Sequence, residues 1–242
     1  MDFFNNKKRF VQRAIVSAVA SSFIAFNSLA TTSEDYEKAL TAFNENEYDE
    51  AYIHLKNSLQ KDPENLAAKI LMGEILLING YLTAAEMEFV EALEMGADIN
   101  LLAEPLGNTW LFLNRYQEIV DFSDLNKLSG DAEREWLMIR ATACIRLEDE
   151  QCALRDYNTI VSRTPNFVPA INGLASIALQ NEDLPKATSL VDKAMSLEPE
   201  NAITWRLKGQ LSYRQGDTDA ATAHLQKALT FNRLTLTLLN QS

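Results

Sequence analysis

Apolar residues in this chain recur three and four positions apart, rather than two, over most of its length. Residues 66–100 show the pattern most clearly. Ile70, Leu71, Ile75, Leu76 and Leu77 form one apolar stripe, and Leu82, Ala85, Phe89, Ala92 and Leu93 form a second. That period predicts two amphipathic helices, over 66–78 and 81–94. Asn79 and Gly80 between them predict a tight turn through positive φ, and Gly96 predicts a helix C-cap. Gly73 and Ala85 are small where the two helices meet. Helix axes settle roughly 8–10 Å apart according to their contact side chains, so small residues there predict close approach.

The hairpin then repeats. Steps of 34 residues lead through Ala39, Gly73, Gly107, Ala141, Ala175 and Gly209, and through Ala51, Ala85, Ile119, Ala153, Ala187 and Ala221. The turn recurs at Asn46, Gly80, Asn114, Glu148, Glu182 and Gly216, and Pro63, Pro165 and Pro199 close second helices. Six units in one register resemble the tetratricopeptide repeat (TPR) family, whose unit is a helix–turn–helix of 34 residues. The resemblance implies an all-α, right-handed TPR superhelix, an α-solenoid of six repeats. The array is expected over 31–234, with repeats at 32–65, 66–100, 101–133, 134–166, 167–200 and 201–234.

Two stretches depart from the array. Lys7, Lys8, Arg9 and Arg13 precede an uncharged, mostly apolar run over 14–26, and Ser28, Leu29 and Ala30 follow it. This is the three-part form of a signal peptide, expected over 1–30, with export to the periplasm. The run is short of the roughly 20 residues of a membrane span, so no integral span is expected after cleavage; an uncleaved anchor is the alternative. In repeat three, Ile119 replaces the usual alanine, and Ser129-Gly130-Asp131 reads as a break. A shortened or bent second helix is expected there, because a bulky residue at a close contact overpacks it. A short tail is expected over 235–242. It is too short to cover the last repeat, so either a partner covers that end or the chain is a shortened relative of a longer array.

Composition narrows the function. The net charge is −12, from 22 Lys and Arg against 34 Asp and Glu. Nucleic-acid binding needs a basic face and is not expected, and attraction to anionic lipid is not expected either. The sequence shows no Gly-rich phosphate loop, His-Glu-x-x-His motif or GxSxG elbow. No catalytic residue, cofactor or metal is expected, and the chain does not read as an enzyme. His54 and His224 each stand alone on a second helix, where solvated surface is the ordinary reading. The carboxylates, spaced three and four apart with Lys and Arg, read as solvated helix faces. Cys144 lies late in one helix and Cys152 opens the next, so they either form a disulfide or pack as small apolar residues.

Binding is therefore the expected class. The lining of a concave face would include Glu104, Asn108, Arg146, Asn172, Ser176, Gln180, Arg206, Gln210, Tyr213 and Arg214. Arg146, Arg206 and Arg214 could take an acidic peptide or an anionic polysaccharide through charge-assisted hydrogen bonds; pairing with neighbouring carboxylates is the alternative. The stretches Ala51 to Pro63 and Ala85 to Ala97 also resemble the TPR proteins of the PEP-CTERM/exosortase system (PrsT). That resemblance implies a bacterial envelope scaffold for protein–protein interactions, with envelope assembly machinery as partner, in exopolysaccharide export or PEP-CTERM protein sorting. Members are usually longer lipoproteins, and no cysteine lies near the expected cleavage point here.

Overall fold

The structure is a computed structural model that describes residues 34–239, the side chains of 234–239 excepted. The expected signal peptide and the array's first residues, before Glu34, lie outside the described residues. Among the described residues, twelve α-helices run in chain order: α1 (Glu34–Asn44), α2 (Tyr48–Lys61), α3 (Leu66–Ile78), α4 (Leu82–Glu94), α5 (Ile99–Phe112), α6 (Tyr116–Val120), α7 (Gly130–Arg146), α8 (Glu150–Arg163), α9 (Val168–Gln180), α10 (Leu184–Leu197), α11 (Ala202–Arg214) and α12 (Thr218–Leu239). A 3-10 helix, Ser123–Lys127, follows α6. There is no strand among the described residues. No described helix is long and apolar enough to cross a membrane.

The turn inside each hairpin follows directly from the sequence register. All six turn positions have positive φ: Asn46, Gly80, Asn114, Glu148, Glu182 and Gly216. In the last three repeats the aspartate after that residue starts the second helix. Asp149, Asp183 and Asp217 accept the backbone N–H of Cys152, Lys186 and Ala220. Asn65, Asp98 and Asn201 cap α3, α5 and α11 in the same way, answering N–H groups that have no partner within the helix.

The chain divides into two compact units, at Ala143 and Cys144 within α7. In the first, α1 packs on α2 and α3 on α4, while α2 meets α3, α4 meets α5, and α3 meets α5. Its core runs from Ala39 through Ile75, Phe89 and Leu106 to Trp136. Gly73 is where the Phe89 ring enters, because a Cβ there would lie 2.5 Å from it. Small size at this position therefore admits a ring from the facing helix as well as close axes.

Repeat three breaks the pattern in this unit. Helix α6 stops after five residues. Ile119 is fully buried where the other five repeats bury alanine. The chain then turns, and the Phe122 ring lies 4.4 Å from Trp136 and 6.0 Å from Trp110, centroid to centroid. Ser129 closes the detour by donating its backbone N–H to Asn100 Oδ1 at 2.9 Å, and Gly130, at positive φ, starts α7.

In the second unit, α9 packs on α8, α10 and α11, α10 on α11, and α11 on α12. Ala175, Leu179, Ala187 and Val191 form its core with Leu207 and Leu211. Gly173 admits the Tyr157 ring as Gly73 admits Phe89. Cys144 and Cys152 are bonded, with Cα atoms 5.8 Å apart, within the span that a disulfide bridges. Asp156 lies buried beside them, but sulfurs joined to each other are not thiolate metal ligands. Helix α12 continues to Leu239, into the expected tail, because no Gly, Asn or Pro falls from Leu234 to Leu239 to stop it.

Candidate partner-binding groove

A groove of about 650 Å³ lies in the second unit, between α9, α11 and the start of α12. Ser176 and Gln180 reach it from α9, and Arg206, Gln210, Tyr213 and Arg214 from α11. The helical period brings them together, since residues four and eight apart share one face. Gly209 and Ala221 are small at the floor, and Leu225 closes it from α12. These six polar and aromatic residues are all among the ten expected from the sequence.

The other four lie elsewhere. Asn172 is buried, where its Nδ2 donates to Thr204 Oγ1 at 3.0 Å and its Oδ1 accepts from the same hydroxyl at 3.1 Å. Helix α11 covers it, so it stitches two repeats together rather than facing a ligand. Arg146 is exposed at the end of α7 and does not line the groove. Glu104 and Asn108 belong to the first unit, where Asn108 is buried and Glu104 partly so.

The groove is cationic in an acidic chain. Arg206 is exposed and makes no ion pair or hydrogen bond with another described residue. Arg214 Nη1 donates to Glu182 Oε1 at 3.2 Å, and both groups are open to solvent. Such a pair contributes little and gives way readily to a better anion. Tyr213 and Leu225 add exposed apolar surface beside the charges.

Several carboxylates are buried, where solvated helix faces were expected. Glu86 is buried between α4 and α5, where it accepts from Trp110 Nε1 at 2.9 Å and pairs with Arg115. Glu74 is buried in α3, and burial, then the charge of Glu104, pushes its carboxyl up to about 8. Burial, then Glu135, pushes Glu104 up to about 7. A signal existed for Glu74, which interrupts the apolar run Ile70–Ile78. The histidines also differ from the expected solvated surface. His54 Nδ1 is buried without a hydrogen bond, and His224 contacts Ser212 Oγ at 3.1 Å beside the Trp205 ring. Desolvation, then Lys208 and Lys227, holds the His224 pKa below its ordinary value.

Residues 170–233, which carry the groove, match the family model described as Tetratricopeptide repeat. No curated protein matches the chain in sequence. Its fold is similar to that of a tetratricopeptide repeat protein from Parabacteroides merdae ATCC 43184, at 21% identity and a TM-score of 0.70 over 81% of this chain and 78% of that one. It is also similar to PilW, a type IV pilus biogenesis factor, at 19% identity and a TM-score of 0.67 over 81% of this chain and 91% of that one. Pseudomonas aeruginosa pilF follows at 16% identity and 0.65, over 83% of this chain and 90% of that one. At these identities the likeness is one of fold.

Proposed function

We propose that this chain, which folds as a tetratricopeptide repeat protein, is a non-catalytic scaffold that binds a protein partner in the bacterial envelope. The observation that carries the reading is the groove between α9, α11 and α12. It offers an exposed arginine, Arg206, with no partner among the described residues, a weakly paired Arg214, and exposed Tyr213 and Leu225. Nothing in it is arranged as a nucleophile with a base, the minimum of a catalytic pair. The basic and apolar leader over 1–30 supports export to the periplasm. The resemblance of 51–63 and 85–97 to the PEP-CTERM/exosortase proteins supports a place in exopolysaccharide export or PEP-CTERM sorting.

A second reading is favoured by the two arginines: an anionic polysaccharide held directly in the groove. The two separate by salt: a polysaccharide held by the arginines alone is released as the Debye length falls to about 3 Å at 1 M, whereas a protein held also by Tyr213 and Leu225 is weakened but retained. The test is crosslinking of the full chain in its own cells, followed by recovery and mass spectrometry. Recovery of envelope assembly proteins, reduced by Arg206→Ala with Arg214→Ala, supports the scaffold. Recovery of polysaccharide alone, released by the same double variant, replaces it with the second reading.

A further inference from the structure

The groove is also the socket in which one more first helix would sit. Every residue in it has a counterpart one repeat earlier, where such a helix is present. Tyr213, Leu225 and Leu229 are 66%, 40% and 60% exposed. Their counterparts 34 residues earlier are Leu179 and Val191, 6% and 0% exposed, and Met195, which is partly buried against the same core. The difference is helix α11, whose Leu207 and Leu211 pack on Leu179 and Val191. The preceding repeat thus shows what shape covers this surface: a helix with large aliphatic residues four positions apart.

The charge differs in a way that specifies the occupant further. Arg206 stands where the preceding repeat has Asn172. Asn172 is met by Thr204 of the covering helix, three positions before Leu207, in a reciprocal hydrogen bond. An arginine at that place accepts nothing and donates a charge, so its match is a carboxylate. A carboxylate there also lies in the first turn of the covering helix, where the helix dipole favours it.

We infer that the socket on α11 and α12 takes an amphipathic helix of a second protein carrying Asp or Glu at one position and large aliphatics three and seven positions later. This deepens the scaffold reading and rests on it. Stacking of two copies through α1, the first described helix, does not supply such a helix. In α1, the positions that correspond to Leu207 and Leu211 are Glu37 and Thr41, both exposed, and Thr41 Oγ1 bonds the Glu37 carbonyl. Helix α1 therefore presents polar residues where the socket requires aliphatics.

The test uses the full chain and a labelled synthetic peptide copying residues 201–215, in which α11 serves as the probe. A lactam bridge between peptide positions 206 and 210, on the face turned away from the socket, holds it helical; short helices are otherwise marginal in water. Fluorescence anisotropy should show the Thr204→Glu peptide binding at least tenfold more tightly than the unmodified one. Arg206→Glu in the full chain should reverse that order. Leu207→Gln with Leu211→Gln in the peptide, or Leu225→Gln in the full chain, should weaken binding at least tenfold without changing charge. Equal binding of all peptides, or indifference to Leu225→Gln, overturns the inference. So does sedimentation showing a dimer of the full chain that Leu225→Gln dissociates, since a second copy then fills the socket. If crosslinking recovers a protein partner that Leu225→Gln leaves in place, the scaffold reading stands and this inference alone falls.

Discussion

Glu148 and Glu182 hold φ near +60, where an L side chain crowds the backbone at a cost of about 1–2 kcal/mol. Asn46 and Asn114 tolerate the same geometry better, and Gly80 and Gly216 meet no steric conflict. Glu148→Gly should therefore raise stability by about 0.5–1 kcal/mol, read as a higher urea midpoint with the slope unchanged; a lower midpoint would show that the Glu148 side chain contributes more than its backbone costs. The glycines inside helices behave oppositely. Gly73→Ala drives a methyl into the buried Phe89 ring and should cost about 1–3 kcal/mol. Gly209→Ala meets Leu225, which is exposed and can swing aside, and the Ala221 carbonyl oxygen at 3.3 Å, which cannot, so its cost should be smaller than that of Gly73→Ala in the same titration but not zero. Both glycines were legible as close-contact positions. Which neighbour each one faces was not, because the repeat period locates a residue on its helix but not the rotamer opposite.

At the scale of elements, the irregular third repeat separates pattern from packing. The other five repeats bury alanine where this one buries Ile119. Restoring the pattern with Ile119→Ala should nevertheless destabilise by about 2–4 kcal/mol, since the core around α6 is already shaped to the larger residue. Thermal melting would decide it, and a gain in stability would show Ile119 to be strained rather than packed. The shortened helix was legible from Ile119 and from the break at Ser129–Gly130. The packing of Phe122 against Trp110 and Trp136 was not, because residues in an irregular turn obey no period. The disulfide closes a loop with a sequence separation of 8, so reduction should cost about 2 kcal/mol, checked by melting with and without a thiol reductant. The sequence placed both cysteines at adjoining helix ends but did not decide between pairing and packing, since that choice turns on a Cα separation.

For the whole molecule, the pH dependence of stability should not follow the net charge of −12 alone. Glu74 loses its proton near 4.5 in the unfolded chain and near 8 when buried in α3. Between those values the folded state holds more protons than the unfolded one. Its contribution is therefore fully present below about 4.5 and is lost as pH rises through about 8, by on the order of a few kcal/mol. Melting temperature should fall from pH 5 to pH 8.5, and Glu74→Gln should flatten that slope; an unchanged slope would place the dependence on other groups. The repeat register by itself determined the order of the described hairpins and their turns, because helical period, glycine tolerance and capping are local properties of the chain. The structure alone decided which expected lining residues meet. Six converge on one groove, while Asn172 is buried under α11 and Glu74 is buried inside an apolar stripe. Those outcomes depend on which helix covers a given position, and covering is set by contacts between repeats that no single repeat contains.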